Sequence, residues 1–246
     1  MPLIDLANPT RFLRLSARVL PWLAAATLAA FAAGILLGMN APDDYQQGAT
    51  VKIMFIHVPA AWLAMGIWTL MSIAALGTLV WRHPLADVAA KAAVPIGAAF
   101  TLICLVTGML WGRPMWGAYW VWDARLTSVL VLFLMYLGVI ALWRTVEDPS
   151  RAGRAAAILT LVGAINIPII KWSVDWWNTL HQPASVVRLG GPAIHPSILV
   201  PLLVMALAFA LLFFTLHLAA MRNDILRRRL RTLMLLKAQI APGSGT

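Results

Sequence analysis

The residues in this chain able to do chemistry are three histidines and a crowd of indoles. His57 stands in "FIHVPAAW", His181 in "VDWWNTLHQP" and His195 in "AIHPS". Between the first two runs "WGRPMWGAYWVWDARLTS", residues 111–128, with Trp111, Trp116, Trp120, Trp122, Tyr119, Asp123, Arg113 and Arg125. A neutral imidazole is a metal ligand. Flat rings bury a flat ligand by stacking and apolar contact together, and arginines pair with carboxylates. Two imidazoles from separate segments, flanking an aromatic platform, suit an iron porphyrin held by two axial nitrogens. Zinc is the rival; it needs three or four ligands in a compact set, and the chain has neither HExxH nor CxxC. His195 is held in reserve as a ligand. The single cysteine, Cys104, excludes an internal disulfide and a CxxCH haem attachment, and in its apolar run it reads as packing.

What must position these groups is a membrane. Of 246 residues 61% are hydrophobic and only 11% charged, with a mean hydropathy of +0.83; a soluble domain carries about a quarter charged residues. Six stretches are long and apolar enough to cross a bilayer: Val19–Met39, Ile53–Trp81, Ala92–Leu110, Thr127–Trp143, Ala155–Ile170 and Ser197–Ala220. The expected fold is an all-α bundle of six transmembrane helices forming one membrane domain over 1–246. The first stretch is too long for a signal peptide and lacks a convincing cleavage site, so it stays. The fifth, with Asn166 and Pro168, should end in a bend.

Of the 19 Lys and Arg, fourteen fall on one side: Arg11, Arg14, Arg18, Arg82, Lys91, Arg144, Arg151, Arg154, Arg222, Arg227, Arg228, Arg229, Arg231 and Lys237. The excess places both termini in the cytoplasm. The net charge of +10 is then topogenic, with no nucleic-acid partner implied. The basic tail, 221–246, is expected to lie as an interfacial helix on anionic lipid. Three loops face outward: Asn40–Lys52, the segment 111–126, and 171–196.

An aromatic belt would spread its rings over both interfaces. Seven of the 12 tryptophans lie in the outer loops (Trp111, Trp116, Trp120, Trp122, Trp172, Trp176 and Trp177), which favours a built surface. Gly112, Pro114 and Gly117 predict a turn, followed by a surface helix on which Trp116 and Trp120 share a face. Asp123 is expected to shape this loop by hydrogen bonding or pairing with an arginine. His57 falls one turn inside the second span, where an imidazole must be paired, hydrated or ligating. His181 is expected on a helical face with Trp177 and Asn178. His83 and His217 read as interfacial residues of the inner side.

The quoted segment resembles the WWD signature of haem-handling membrane proteins. With "IHVPAAW" upstream and "WWNTLHQ" downstream, the chain is similar to the CcmC family of cytochrome c maturation along nearly its whole length. One departure is visible, Ala118–Tyr119 where the family often has Thr–Trp. The resemblance implies a non-enzymatic haem-delivery protein of a bacterial inner membrane, its site facing the periplasm. It implies haem b as the cargo, axial ligation by His57 and His181, and a haem edge held by Trp111, Trp116, Trp120, Trp122, Asp123 and Arg125. Implied partners are the haem chaperone CcmE, the small subunit CcmD and the transporter subunits CcmA and CcmB. A b-type redox subunit is the alternative, but Pro183, Gly190, Gly191 and Pro192 interrupt any helix joining His181 to His195. A haem lyase would be much larger, and a transporter should show internal repeats.

Overall fold

The structure is a computed structural model that describes residues 8–177, 179–183 and 185–240. Its helices are α1 (Pro9–Met39), α2 (Met54–Leu79), α3 (Ala86–Trp116), α4 (Ala124–Thr145), α5 (Pro149–Gly163), α6 (Asn166–Trp176) and α7 (Pro196–Ile240). A 3₁₀ turn, Ala49–Ile53, leads into α2. No strand occurs among the described residues, only an isolated bridge between Asp44 and Gly48. Among the described residues six segments are long and apolar enough to cross a membrane, with α5 and α6 together making the fifth.

The helix ends follow from short-range chemistry. Asn8 Oδ1 accepts from the Thr10 N–H at 2.9 Å and Pro9 opens α1. Asp148 caps α5 in the same way, with Pro149 at its first position. Both follow the preference for a side-chain acceptor and then proline, where orphan N–H groups need partners. The fifth span breaks at 164–165 and resumes, so the predicted bend is present but the helix continues to Trp176. Asn166, just past the break, donates to the Ser128 carbonyl of α4 at 2.8 Å, so the polar side chain is satisfied against a neighbouring helix.

At the centre of the bundle Trp68 and Tyr136 are fully buried and meet edge to face, centroids 4.7 Å apart. Each has a polar tip, and each tip finds a carbonyl on another helix: Trp68 Nε1 donates to Thr160 at 3.0 Å, Tyr136 Oη to Ala64 at 2.8 Å. Gly163 and Gly97 admit these rings; a Cβ at either would collide with the Trp68 or the Tyr136 ring. This pair ties α2, α3, α4 and α5 together and fixes the frame on which the indole-rich end rests.

α1 packs along α7, joined by a Thr27–Thr215 hydroxyl contact of 2.9 Å. The tail continues the last span as one helix rather than starting a separate one. α7 runs without a break to Ile240, and Arg222 and Arg228 in the first turns of the tail find protein partners. Arg222 donates to Ser16 Oγ and to the Leu13 carbonyl, Asp224 takes Lys91 at 3.0 Å, and Arg228 bridges Asp224 and Asp87. Met221 and Ile225 pack on Leu85 and Val88. Residues 241–246 of the predicted tail lie outside the described residues.

Candidate functional site

The other end of the bundle collects the loops 40–53, 117–123 and 177–195. Here α3 differs from expectation. It passes through Gly112 and Pro114 and stops only after Trp116, where Gly117 takes φ +75° as a left-handed cap; glycine enters that region without steric penalty. Gly112 is buried beneath the Trp116 ring, which a Cβ would meet at 3.0 Å. Residues 117–123 are not helical, so the expected surface helix is absent and Trp116 and Trp120 share no helical face. Trp120 instead packs edge to face on Trp122, centroids 5.4 Å apart. Arg113 contacts the Gly117 carbonyl and lies over the Tyr119 ring.

His57, in the first turn of α2, contacts Thr107 Oγ1 of α3 through Nδ1 at 3.0 Å. The Thr107 hydroxyl already lies 2.6 Å from the Ile103 carbonyl. A carbonyl only accepts, so the hydroxyl proton is spent there and its oxygen accepts from His57 Nδ1–H. The lone pair of the neutral ring therefore sits on Nε2. Gly108 lets the ring approach; a Cβ there would stand 3.0 Å from His57 Cε1. Trp111 meets the imidazole edge to face, centroids 5.6 Å apart.

His181 is built the same way from different parts. Its Nδ1 lies 2.9 Å from Asp123 Oδ2, and Asp123 Oδ1 accepts the Leu126 N–H at 2.7 Å as the N-cap of α4. The carboxylate's partner is thus a histidine and not an arginine side chain. A carboxylate only accepts, so Nδ1 donates and Nε2 again carries the lone pair. Burial pushes the His181 pKa below its ordinary 6.5, opposed by the hydrogen bond and charge of Asp123. Trp116 packs edge to face on this ring at 4.9 Å. His181 is not on a helix with Trp177, because α6 ends at Trp176 and Trp177 is extended; Asn178 lies outside the described residues.

The two imidazoles are within electrostatic reach of each other and of Arg125. Arg125 donates to Ser173 Oγ at 3.2 Å and to the Lys171 carbonyl at 3.3 Å, tying α4 to α6. Trp120 Nε1 is buried with no acceptor among the described residues. Trp122 is exposed at the lip. His195 differs from the other two: its Nδ1 accepts the Ser197 N–H at the start of α7, which puts the proton of the neutral ring on Nε2. No group of three or more His, Cys, Asp or Glu able to hold a metal ion exists among the described residues. What this end offers is two imidazoles whose Nδ1 atoms are both taken by acceptors, which leaves the lone pair of each neutral ring on Nε2.

Sequence reasoning missed Thr107, Gly108 and Gln47, whose Oε1 accepts from Trp111 Nε1 at 3.0 Å. Only Gly108 carried a readable signal, a glycine inside an apolar helical run close to a platform segment.

The chain is similar to a family of membrane proteins along nearly its whole length. The profile of heme exporter protein C matches residues 2–236. Heme exporter protein C of Bradyrhizobium diazoefficiens is 76% identical over 238 residues, covering 97% of this chain and 90% of that protein. The protein of the same name from Escherichia coli K12 is 49% identical over 223 residues, 90% of each chain. That of Paracoccus denitrificans is 46% identical over 235 residues, 95% of this chain and 98% of its own.

Proposed function

Because the chain belongs to the heme exporter protein C family, we propose that it holds haem b as cargo, between His57 and His181, and passes it to a periplasmic chaperone for cytochrome c maturation. The observation that carries this reading is the matched preparation of two imidazoles. Each is anchored through Nδ1 to an acceptor, Thr107 Oγ1 or the Asp123 carboxylate, and each keeps its Nε2 lone pair. Outer-shell acceptors of this kind fix the tautomer and raise ligand basicity. They come from separate helices and loops, as ligation of opposite faces of a planar ring requires.

The indoles supply the remaining contacts. Trp111 and Trp116 stand beside the two imidazoles, and Trp120 and Trp122 lie along the rim. Trp120 Nε1 is a buried donor in want of an acceptor, and a porphyrin carboxylate is one. Such an unpaired group costs about 1–3 kcal/mol, so a ligand that satisfies it is favoured. Arg125 lies within electrostatic reach of both imidazoles and is suited to pair with the second carboxylate. Asp123 holds the loop and His181 at once. Release breaks no covalent bond of this chain, which suits a handover to CcmE. The accompanying CcmD, CcmA and CcmB, and a site facing the periplasm of the inner membrane, complete the reading.

The test is optical. Purified chain should show a low-spin haem spectrum with two nitrogen ligands, lost in both His57→Ala and His181→Ala. Retention in both variants would remove the ligand assignment.

A further inference from the structure

We infer that Gln47, in the loop between α1 and α2, is a positioning residue for the haem cradle, acting through Trp111. The inference rests on His57 being an axial ligand and extends that reading to a loop that carries no histidine or tryptophan.

The loop is built to present one side chain. Asp44 and Gly48 exchange two backbone hydrogen bonds of 3.2 and 2.8 Å, and Asp44 Oδ1 accepts from the N–H groups of Gln46 and Gln47, both at 2.9 Å. Gly48 turns the chain at φ +56°, and Thr50 Oγ1 donates to the Gln47 carbonyl at 2.6 Å. Gln47 is therefore fixed at both its N–H and its carbonyl before its side chain is considered. Its neighbours Tyr45 and Gln46 point to solvent, whereas Gln47 is half-buried.

The indole N–H is a donor only, so Gln47 must offer it the amide oxygen. That bond, 3.0 Å from Trp111 Nε1 to Gln47 Oε1, fixes the plane of the ring on which His57 rests edge to face. His57 is then held on two sides, by Thr107 through Nδ1 and by Trp111 through its ring. Thr107 sets which nitrogen faces the iron; Gln47, through Trp111, sets the rotation of the imidazole plane.

The test is a double-mutant cycle on the full-length purified chain loaded with ferric haem. Gln47→Ala and Trp111→Phe each remove one end of the bond while keeping the loop or the ring. Both should weaken haem retention about tenfold, the low end of the loss for outer-shell partners. Both should also shift the ferric g-values, which report the mutual orientation of the two imidazole planes. The double variant should match either single one, Gln47→Glu should restore both readouts, and Gln46→Ala should leave them unchanged. Additive losses, or wild-type g-values and retention in Gln47→Ala alongside a signature abolished by His57→Ala, would overturn the role of Gln47 alone. A two-nitrogen signature surviving His57→Ala would bring down the ligand reading and this inference together.

Discussion

Asp123→Asn separates the two tasks of one carboxylate. Asp123, buried with 6% of its side chain exposed, uses Oδ1 for the Leu126 N–H and Oδ2 for His181 Nδ1. Asparagine has one acceptor and one donor where aspartate has two acceptors. If its oxygen stays on Leu126, the cap of α4 is kept, since Asn and Asp cap equally well. Its NH₂ then faces His181, which must present Nδ1 as an acceptor. The ring proton moves to Nε2 and the iron-binding lone pair is lost. If the amide turns over instead, the cap is lost, at about 0.5–2 kcal/mol. The first arrangement costs haem affinity on the order of 10–100-fold; the second lowers the melting temperature. Haem titration by difference absorption, run beside thermal unfolding of the empty protein, reads both. Asp123→Ala should show both losses at once. Should Asp123→Asn keep haem affinity within about threefold of the parent and also the parent's melting temperature, the argument that this carboxylate sets the tautomer is refuted.

Thr107→Val keeps the shape and removes the acceptor for His57; it should weaken haem binding about tenfold or more and lower the melting temperature of the empty protein, since a buried N–H loses its partner, and Thr107→Ser should restore both. Gly108→Ala places a Cβ 3.0 Å from His57 Cε1 and should displace the ring, seen as weaker haem retention; Gly66→Ala, with nothing within 4 Å, serves as the control of equal chemistry. At the opposite end, Asp224→Ala removes the shared partner of Lys91 and Arg228. Both cations are more than a third exposed, so thermal unfolding should show a loss of only about 1–2 kcal/mol, with the haem spectrum intact. A spectral change in Asp224→Ala would mean the two ends are coupled.

The six spans were legible because about 20 apolar residues in a row admit few other readings. The ends were less so. Gly112 and Pro114 look like breakers, yet proline's fixed φ is helical and costs one hydrogen bond, while Gly112 is needed small beneath Trp116. The true stop is Gly117, which alone takes a positive φ there. In the tail, the ion pairs of Asp224 and Arg228 could not be read, because Asp87 and Lys91 lie more than 130 positions from Asp224. At the site, the residue types picked out segments that the structure brings into contact, but tautomers did not show. The Asp123–His181 contact joins positions 58 apart and His57–Thr107 positions 50 apart; no local period links them. Gln47 and Trp111 are 64 apart, and a glutamine in a polar loop carries no signal of its own.

α7 begins at Pro196, directly after the loop that carries His181 and His195, and ends at Ile240 beyond the Arg222 and Arg228 anchors. Forty-five residues at about 1.5 Å each make a rod of about 67 Å, with Pro201 in its second turn as the one proline inside it. One continuous helix therefore joins the arginine-rich end to the exit of that loop. Whatever grips this chain from the arginine-rich side holds one end of a helix whose other end borders the loop of His181 and His195.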